Sequence, residues 1–130
     1  MAKLADLAQT FATQERPAGN LLDEETVLAQ AVAATRFYAG FAALRAHEGV
    51  TPVPDIDGDT AITTSEWALI RPLFLLYAER ETALQLEASR GMGIDPFGRS
   101  ASEIAAEITQ AEAYAPIYVR LAYRPAQTSV

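Results

Sequence analysis

Carboxylates at alternate positions are the most suggestive chemistry in this chain, and they lie in the stretch DIDGDTAITTSE at residues 55–66. Asp55, Asp57 and Asp59 match positions 1, 3 and 5 of a calcium-binding loop. Ile62 matches the apolar position 8, and Glu66 matches the bidentate position 12. Oxygen ligands at this spacing suit Ca²⁺, so the stretch is a candidate calcium loop.

Two features of the same stretch oppose calcium binding. Position 6, where glycine permits the sharp turn of such a loop, is Thr60, and Pro52 and Pro54 stand where the preceding helix should run. Thr63 and Glu66 also match a capping box, in which each side chain accepts a backbone N–H of the other residue. We therefore interpret the stretch as an acidic turn before a helix. A small calcium-responsive or regulatory binding module is the alternative function.

Other residues that often carry catalysis do not form a recognisable set. His47 is the single histidine, the chain has no cysteine, and no partner for acid–base or nucleophilic chemistry stands at a familiar spacing. The Gly91-Met-Gly93 segment follows a predicted helix, whereas a dinucleotide loop follows a strand. Five further acids could supply paired carboxylates, but they fall on polar helix faces, and no Glu-x-x-His pair occurs: Glu79, Glu87, Glu103, Glu107 and Glu112. We predict no enzyme activity, no cofactor and no metal site.

A helix over residues 63–90 must organise the fold. Thr63 and Glu66 supply its start, and the only tryptophan, Trp67, begins its apolar run. Its first half is apolar over most of its circumference, which predicts the most buried helix of the chain. Pro72 lies about two turns inside it and should kink it.

A second long helix is predicted over residues 23–47. Asp23, Glu24 and Glu25 crowd its first turn, where negative charge suits the helix dipole, and Gly49 is placed to end it. At 1.5 Å per residue it would span roughly 37 Å, longer than a compact core of this size requires. Its many alanines permit close helix approach, so we interpret the excess length as an indication of oligomerisation.

Two shorter helices complete the prediction. Ser100 and Glu103 form a second capping box, and the helix they open should end before Pro116. At the N-terminus, residues 1–14 predict a short amphipathic helix with an apolar stripe of Leu4, Leu7, Ala8 and Phe11. This helix packs either on its own core or on a neighbour, and residues 15–20 form the linker that follows it.

The C-terminal segment changes period from helical to alternating. Such alternation predicts a strand, although a fraying continuation of the helix is the other interpretation. A strand here has no predicted partner in its own chain, and Tyr and Arg are enriched at protein interfaces. We favour an extended docking arm, whose candidate partner-binding residues are Ile117, Tyr118, Val119, Arg120, Leu121, Tyr123 and Arg124.

Together these elements predict an all-α fold. The predicted bundle of three main helices spans residues 21–116, with the short N-terminal helix before it and an extended C-terminal arm, able to form a strand, over residues 117–130. The length of 130 residues suits one modest core. The first residues lack the basic-plus-apolar layout of a secretory signal, and no apolar run approaches the roughly 20 residues of a membrane span. We expect synthesis in the cytosol and no membrane partner.

The formal net charge of −7 restricts the possible partners further. A negative field opposes nucleic-acid backbones, so DNA wrapping is not expected. Such a surface is compatible with DNA sliding past it, and equally with plain solubility.

From the acidic turn through TTSEWALIRPLFLLYAERETALQLEASRG to the C-terminal segment, the layout resembles the small head–tail connector, or adaptor, proteins of tailed bacteriophages. The resemblance spans roughly residues 55–124 and includes no invariant motif. It implies a helical structural protein of the virion that forms a ring, usually of twelve copies, beneath the portal. It also implies that the C-terminal arm docks on the portal, that a tail or collar protein lies below, and that DNA passes through the acidic lumen without specific binding.

Overall fold

The computed structural model describes residues 1–15, 22–88 and 99–122, with side chains described as far as Ile117. The described chain is mostly helical. Two short antiparallel strands, β1 (Ala2–Lys3) and β2 (Ala61–Ile62), pair with each other, Ala2 opposite Ile62. The helices in chain order are α1 (Leu4–Thr10), α2 (Glu24–Ala39), α3 (Thr64–Ala88) and α4 (Ala101–Ala122). A π-helical turn, Phe11–Glu15, continues α1, and a 3₁₀ turn, Arg45–His47, follows α2. The prediction of an all-α bundle is confirmed.

Helix α3 is the centre of the bundle, as its apolar first half predicts. It packs against α2 and against α4. Phe74 is fully buried and contacts the rings of Phe11 and Trp67, with centroids 5.1 Å and 5.4 Å away. The helix runs through Pro72 without interruption. Residues 89–98, which include the Gly91-Met-Gly93 segment after this helix, lie outside the described residues.

Helix α1 belongs to the chain's own core, which decides between the two interpretations of the N-terminal stripe. Leu4, Ala8 and Phe11 are buried, and Arg71 of α3 forms an ion pair with Glu15 at 2.7 Å. The carbonyl oxygen of Thr60 accepts the Leu4 N–H at 3.0 Å, and that of Gly58 accepts the Ala5 N–H at 2.9 Å. The helix start is thus satisfied by the turn before β2. Of the predicted linker, residues 16–20 lie outside the described residues.

Helix α2 is shorter than predicted, and the prediction of a helix over residues 23–47 is wrong at its end. Gly40 caps the helix, and the chain then turns until Leu44 takes an extended conformation and is buried. The next N–H, that of Arg45, is donated to the Glu66 carboxylate at 2.8 Å. A helix continued to His47 would forgo this bond to a charged acceptor. The length argument for oligomerisation is therefore removed.

Helix α4 is longer than predicted. The prediction of an extended strand is wrong over residues 117–122, where the alternative interpretation, a continued helix, is confirmed. The helix passes through Pro116 and reaches Ala122. A lone strand would leave its backbone groups without ladder partners, whereas each added helical residue satisfies one more bond. This gain outweighs the single donor that Pro116 removes. Residues 123–130 lie outside the described residues.

Replacing Pro116 with alanine tests this helix directly. An interior proline costs a helix up to about 3 kcal/mol, so Pro116→Ala should stabilise the protein by about 1–3 kcal/mol and raise its melting temperature. Circular dichroism at increasing temperature measures the effect. Pro54→Ala, in the exposed loop before β2, is the control and should give no gain. An unchanged melting temperature for Pro116→Ala would mean that the helix ends at residue 115.

Candidate interaction surface

The capping box at the start of α3 forms as predicted. The Glu66 N–H is donated to the Thr63 hydroxyl at 3.1 Å, and Glu66 Oε1 accepts the Thr63 N–H at 2.9 Å. The second oxygen, Oε2, accepts the Arg45 N–H. Only 2% of Glu66 is exposed. The carboxylate therefore joins the start of α3 to the turn after α2, a role that its sequence position did not reveal.

The acidic turn does not assemble a metal site with Glu66. Asp57 Oδ1 accepts the Asp59 N–H at 2.9 Å, and the Thr60 hydroxyl accepts the Asp57 N–H at 2.9 Å. Asp55, Asp57 and Asp59 are exposed, whereas Glu66 is buried. Across the described ranges, no three acids or histidines are grouped so that they could hold one ion. The geometry favours a turn that is held by its own hydrogen bonds over a calcium-binding loop.

Adding calcium should accordingly leave the protein unchanged. Both Glu66 oxygens already accept backbone N–H groups, so binding an ion there would break two bonds to a buried carboxylate. We expect no heat of binding in calorimetry at millimolar Ca²⁺ and no shift of the melting temperature. A calcium-dependent rise of several degrees would instead support the regulatory-module alternative.

Helices α3 and α4 are held together by buried apolar side chains in the first half of α4 and by ion pairs beside them. Ile104 and Ile108 of α4 are buried in the core. The Arg99 guanidinium donates to Glu79 of α3, at 2.5 Å for Nη2, and to Glu107 of α4. These bonds, first to Glu79 and then to Glu107, raise the pKa of Arg99 above its usual range. The first half of α4 is thus fixed to α3.

The start of α4 is capped from two sides. The Ser100 hydroxyl accepts the Glu103 N–H at 3.2 Å, as the second capping box predicts. Glu87 of α3 adds a contact between elements, since its Oε2 accepts the Ala101 N–H at 2.6 Å. This carboxylate satisfies a helix donor from outside the helix and sets the position of α4 along α3.

Midway along α4, Tyr77 of α3 donates its hydroxyl hydrogen to Glu112 at 2.5 Å. Burial of the phenol, together with this bond, raises the pKa of Tyr77 above its usual range. Arg80 lies over the same ring, 5.1 Å from its centroid. The contact holds α4 to α3 at the point where the buried stripe of Ile104 and Ile108 has ended.

Beyond Glu112, helix α4 presents an uncovered apolar surface. Tyr114 is 50% exposed and Ile117 is 52% exposed. The two residues are three positions apart, so their side chains lie on the same side of the helix. We call this pair the distal face of α4. It includes one predicted partner-binding residue, Ile117.

The other predicted partner-binding residues can be placed only in part. Tyr118, Val119, Arg120 and Leu121 lie in the last turns of α4, and their side chains are outside the described ones. Tyr123 and Arg124 lie outside the described residues altogether. Tyr114 is not among the predicted partner-binding residues, because the predicted arm begins at residue 117; its helical spacing from Ile117 places it on the same face.

His47 lies in the 3₁₀ turn after α2. Its backbone N–H is donated to the Leu44 carbonyl oxygen at 3.0 Å, and the described contacts include no hydrogen bond from its imidazole ring.

Within the described part of the chain, no helix is both long and apolar enough to cross a membrane. Comparison with protein-family models, curated protein sequences and solved structures found no match.

Proposed function

We propose that this protein is a structural subunit of a phage virion, a head–tail connector that forms a ring between the portal and the tail. The observation that carries the proposal is the distal face of α4, where Tyr114 and Ile117 stand half exposed. Their spacing of three places them side by side on one helix face, and adjacent exposed apolar side chains are the kind of patch that another protein covers. The family resemblance adds the portal, the tail or collar protein and the ring of about twelve copies.

The charge of the chain supports the same proposal. A ring protein through which DNA passes must not retain the DNA, and a formal net charge of −7 repels a phosphate backbone. The acids that produce this charge are mostly exposed, so the surface field is negative. Protein–protein contacts, with DNA as a passing neighbour, are the interactions that this field allows.

Deleting residues 117–130 tests the docking role. We expect the shortened chain to lose co-purification with the portal protein encoded in the same genome. Most helical signal in circular dichroism should remain, because the deletion removes only the last six described residues of α4. Deleting residues 125–130 is the matched control and should leave portal binding in place.

Each outcome of this deletion has a meaning. Portal binding that survives the loss of residues 117–130 contradicts the docking role. Collapse of the helical signal would show that the end of α4 serves the fold instead. Portal and capsid genes beside this gene would independently support a connector, and a genome without them would contradict it.

A further inference from the structure

Helix α4 is attached to the rest of the chain by few buried side chains. It packs against α3, and among the side chains of α4 that the structure describes, Ile104 and Ile108 are the buried ones. Helix α2, although shorter, buries more of its residues: Val27, Ala31, Ala34, Thr35 and Tyr38. Burial of apolar surface is the main force that holds packed helices together. Helix α4 is therefore held less firmly than α2.

The second half of α3 offers little apolar surface to α4. Its carboxylates Glu79 and Glu87 bond to groups at or just before the start of α4, so the side of α3 on which they lie faces that helix. Ala83 is four positions from each of them and lies on the same side. It is the buried residue of α3 beyond Ala78. Since alanine contributes a single methyl group, the apolar contact here is small.

Polar contacts complete the attachment of α4 to α3. Those of Arg99 with Glu79 and Glu107 lie at the surface, since between 39% and 47% of each side chain is exposed, and exposed ion pairs contribute little to stability. The contact of Tyr77 with Glu112 differs, because the tyrosine is 6% exposed and its hydroxyl donates to a charged acceptor at 2.5 Å. Hydrogen bonds of this kind are stronger than neutral ones. We call this contact the α4 latch.

We propose that α4 opens from α3 as one unit, at a lower free energy than global unfolding, and that the α4 latch controls this opening. Proteins open locally in cooperative units, and units with few buried apolar contacts open first. The rest of the bundle keeps its own core around Phe74, whose ring contacts Phe11 and Trp67. The inference goes beyond the proposed function, since it depends only on contacts within one chain.

Opening uncovers a longer apolar stripe on α4. Ile104, Ile108 and Ala111 follow one another at spacings of four and three, so they lie on one side of the helix. In the closed form this side is packed against the core, and the distal face of Tyr114 and Ile117 is what remains accessible. The open helix presents anchors at positions i, i+4 and i+7, the pattern that a partner with an apolar groove binds. Helix α4 is thus a binding helix that stays largely covered until it opens.

Native-state hydrogen exchange of the full chain in low urea, followed by mass spectrometry of its peptides, tests the opening. After correction for intrinsic rates, amides of residues 104–115 should exchange at least about a hundredfold faster than those of residues 66–78. Their exchange should also depend less on urea, because the opening exposes less surface than global unfolding does. Residues 104–109 and 110–115 should show the same opening free energy, since they open together.

Two variants identify the unit that opens. Tyr77→Phe removes the hydroxyl of the α4 latch and keeps the ring, so it should speed the exchange of α4 about tenfold. Val27→Ala, at a fully buried position of α2, is the control. It should speed the exchange of residues 66–78 about tenfold and leave that of α4 unchanged, because α2 stays packed while α4 opens.

Four results would overturn the inference. Equal opening free energies for α4 and residues 66–78, or equal acceleration of both by Val27→Ala, would show that α4 opens only when the whole protein unfolds. A rate that rises steadily toward residue 115 would show fraying of the helix end in place of a unit. Unchanged α4 exchange in Tyr77→Phe would remove the role of the latch. Portal binding, which the deletion of residues 117–130 tests, is decided separately from all of these.

Discussion

Replacing Glu66 with alanine should destabilise the protein by about 3 kcal/mol, because a hydrogen bond to a charged group contributes roughly 1.5–3 kcal/mol and this carboxylate accepts two. The substitution leaves the N–H groups of Thr63 and Arg45 without that acceptor at a site where only 2% of the side chain meets water. It also releases the turn after α2 from the start of α3. The melting temperature should fall on the order of 10 °C.

Glu103→Ala is the matched control. Glu103 occupies the same capping position in α4, but it is exposed and its described bonds are to Ser100. Alanine keeps the Glu103 N–H that Ser100 caps and removes only the exposed bond from the Ser100 hydroxyl to the Glu103 carboxylate, so the loss should be about 0.5 kcal/mol or less. Urea denaturation of both variants compares them. Equal losses would contradict the claim that Glu66 joins two elements, and would reduce it to an ordinary capping residue.

The same residue shows what local sequence patterns can predict. The capping box of Thr63 with Glu66, and the half of the second box in which Ser100 caps the Glu103 N–H, were predictable because a cap depends on residues three positions apart. The contact from Arg45 joins residues 21 positions apart in the chain. No periodicity records such a contact, so the early end of α2 and the turn after it could not be predicted.

Helix α4 shows a different kind of limit, a conflict between two local signals. Alternation over residues 117–124 favoured a strand, and Pro116 favoured a helix end. The structure continues the helix because a strand needs a partner, and the described residues place no strand beside α4, while a helix supplies its own bonds. The strand pair of β1 and β2 was missed for the opposite reason: two residues in each strand give no period to detect.

The structure changes the form of the predicted C-terminal surface from an extended arm to a helix face. The expectation that partner contacts concentrate after residue 116 stays a prediction, now attached to a helix face. Ile117 belongs both to the predicted arm, which begins at this residue, and to the observed helix face, where its side chain is half exposed. Tyr114 enters only when the segment is helical, because spacing of three places it beside Ile117. The physical form of the segment therefore decides which residues a partner would contact.

Replacing Phe11 with alanine should destabilise the protein by about 3–5 kcal/mol, the usual cost of removing a fully buried aromatic ring. Phe11 is 3% exposed and its ring meets Phe74 edge-on, with centroids 5.1 Å apart and planes at 77°. The substitution removes this contact and leaves a cavity between α1 and α3. Leu84→Ala, at a 46% exposed position, is the control and should change stability by about 0.5 kcal/mol or less.

Diluting the protein tests whether Phe11 lies in the core of its own chain or covers a neighbouring copy. If the ring lies in its own chain's core, the loss measured by thermal denaturation must be the same after about a hundredfold dilution, since folding within one chain does not depend on concentration. If α1 instead covered a neighbouring copy, the loss would shrink as the assembly dissociated. A concentration-independent loss for Phe11→Ala would place the N-terminal helix in the core of its own chain.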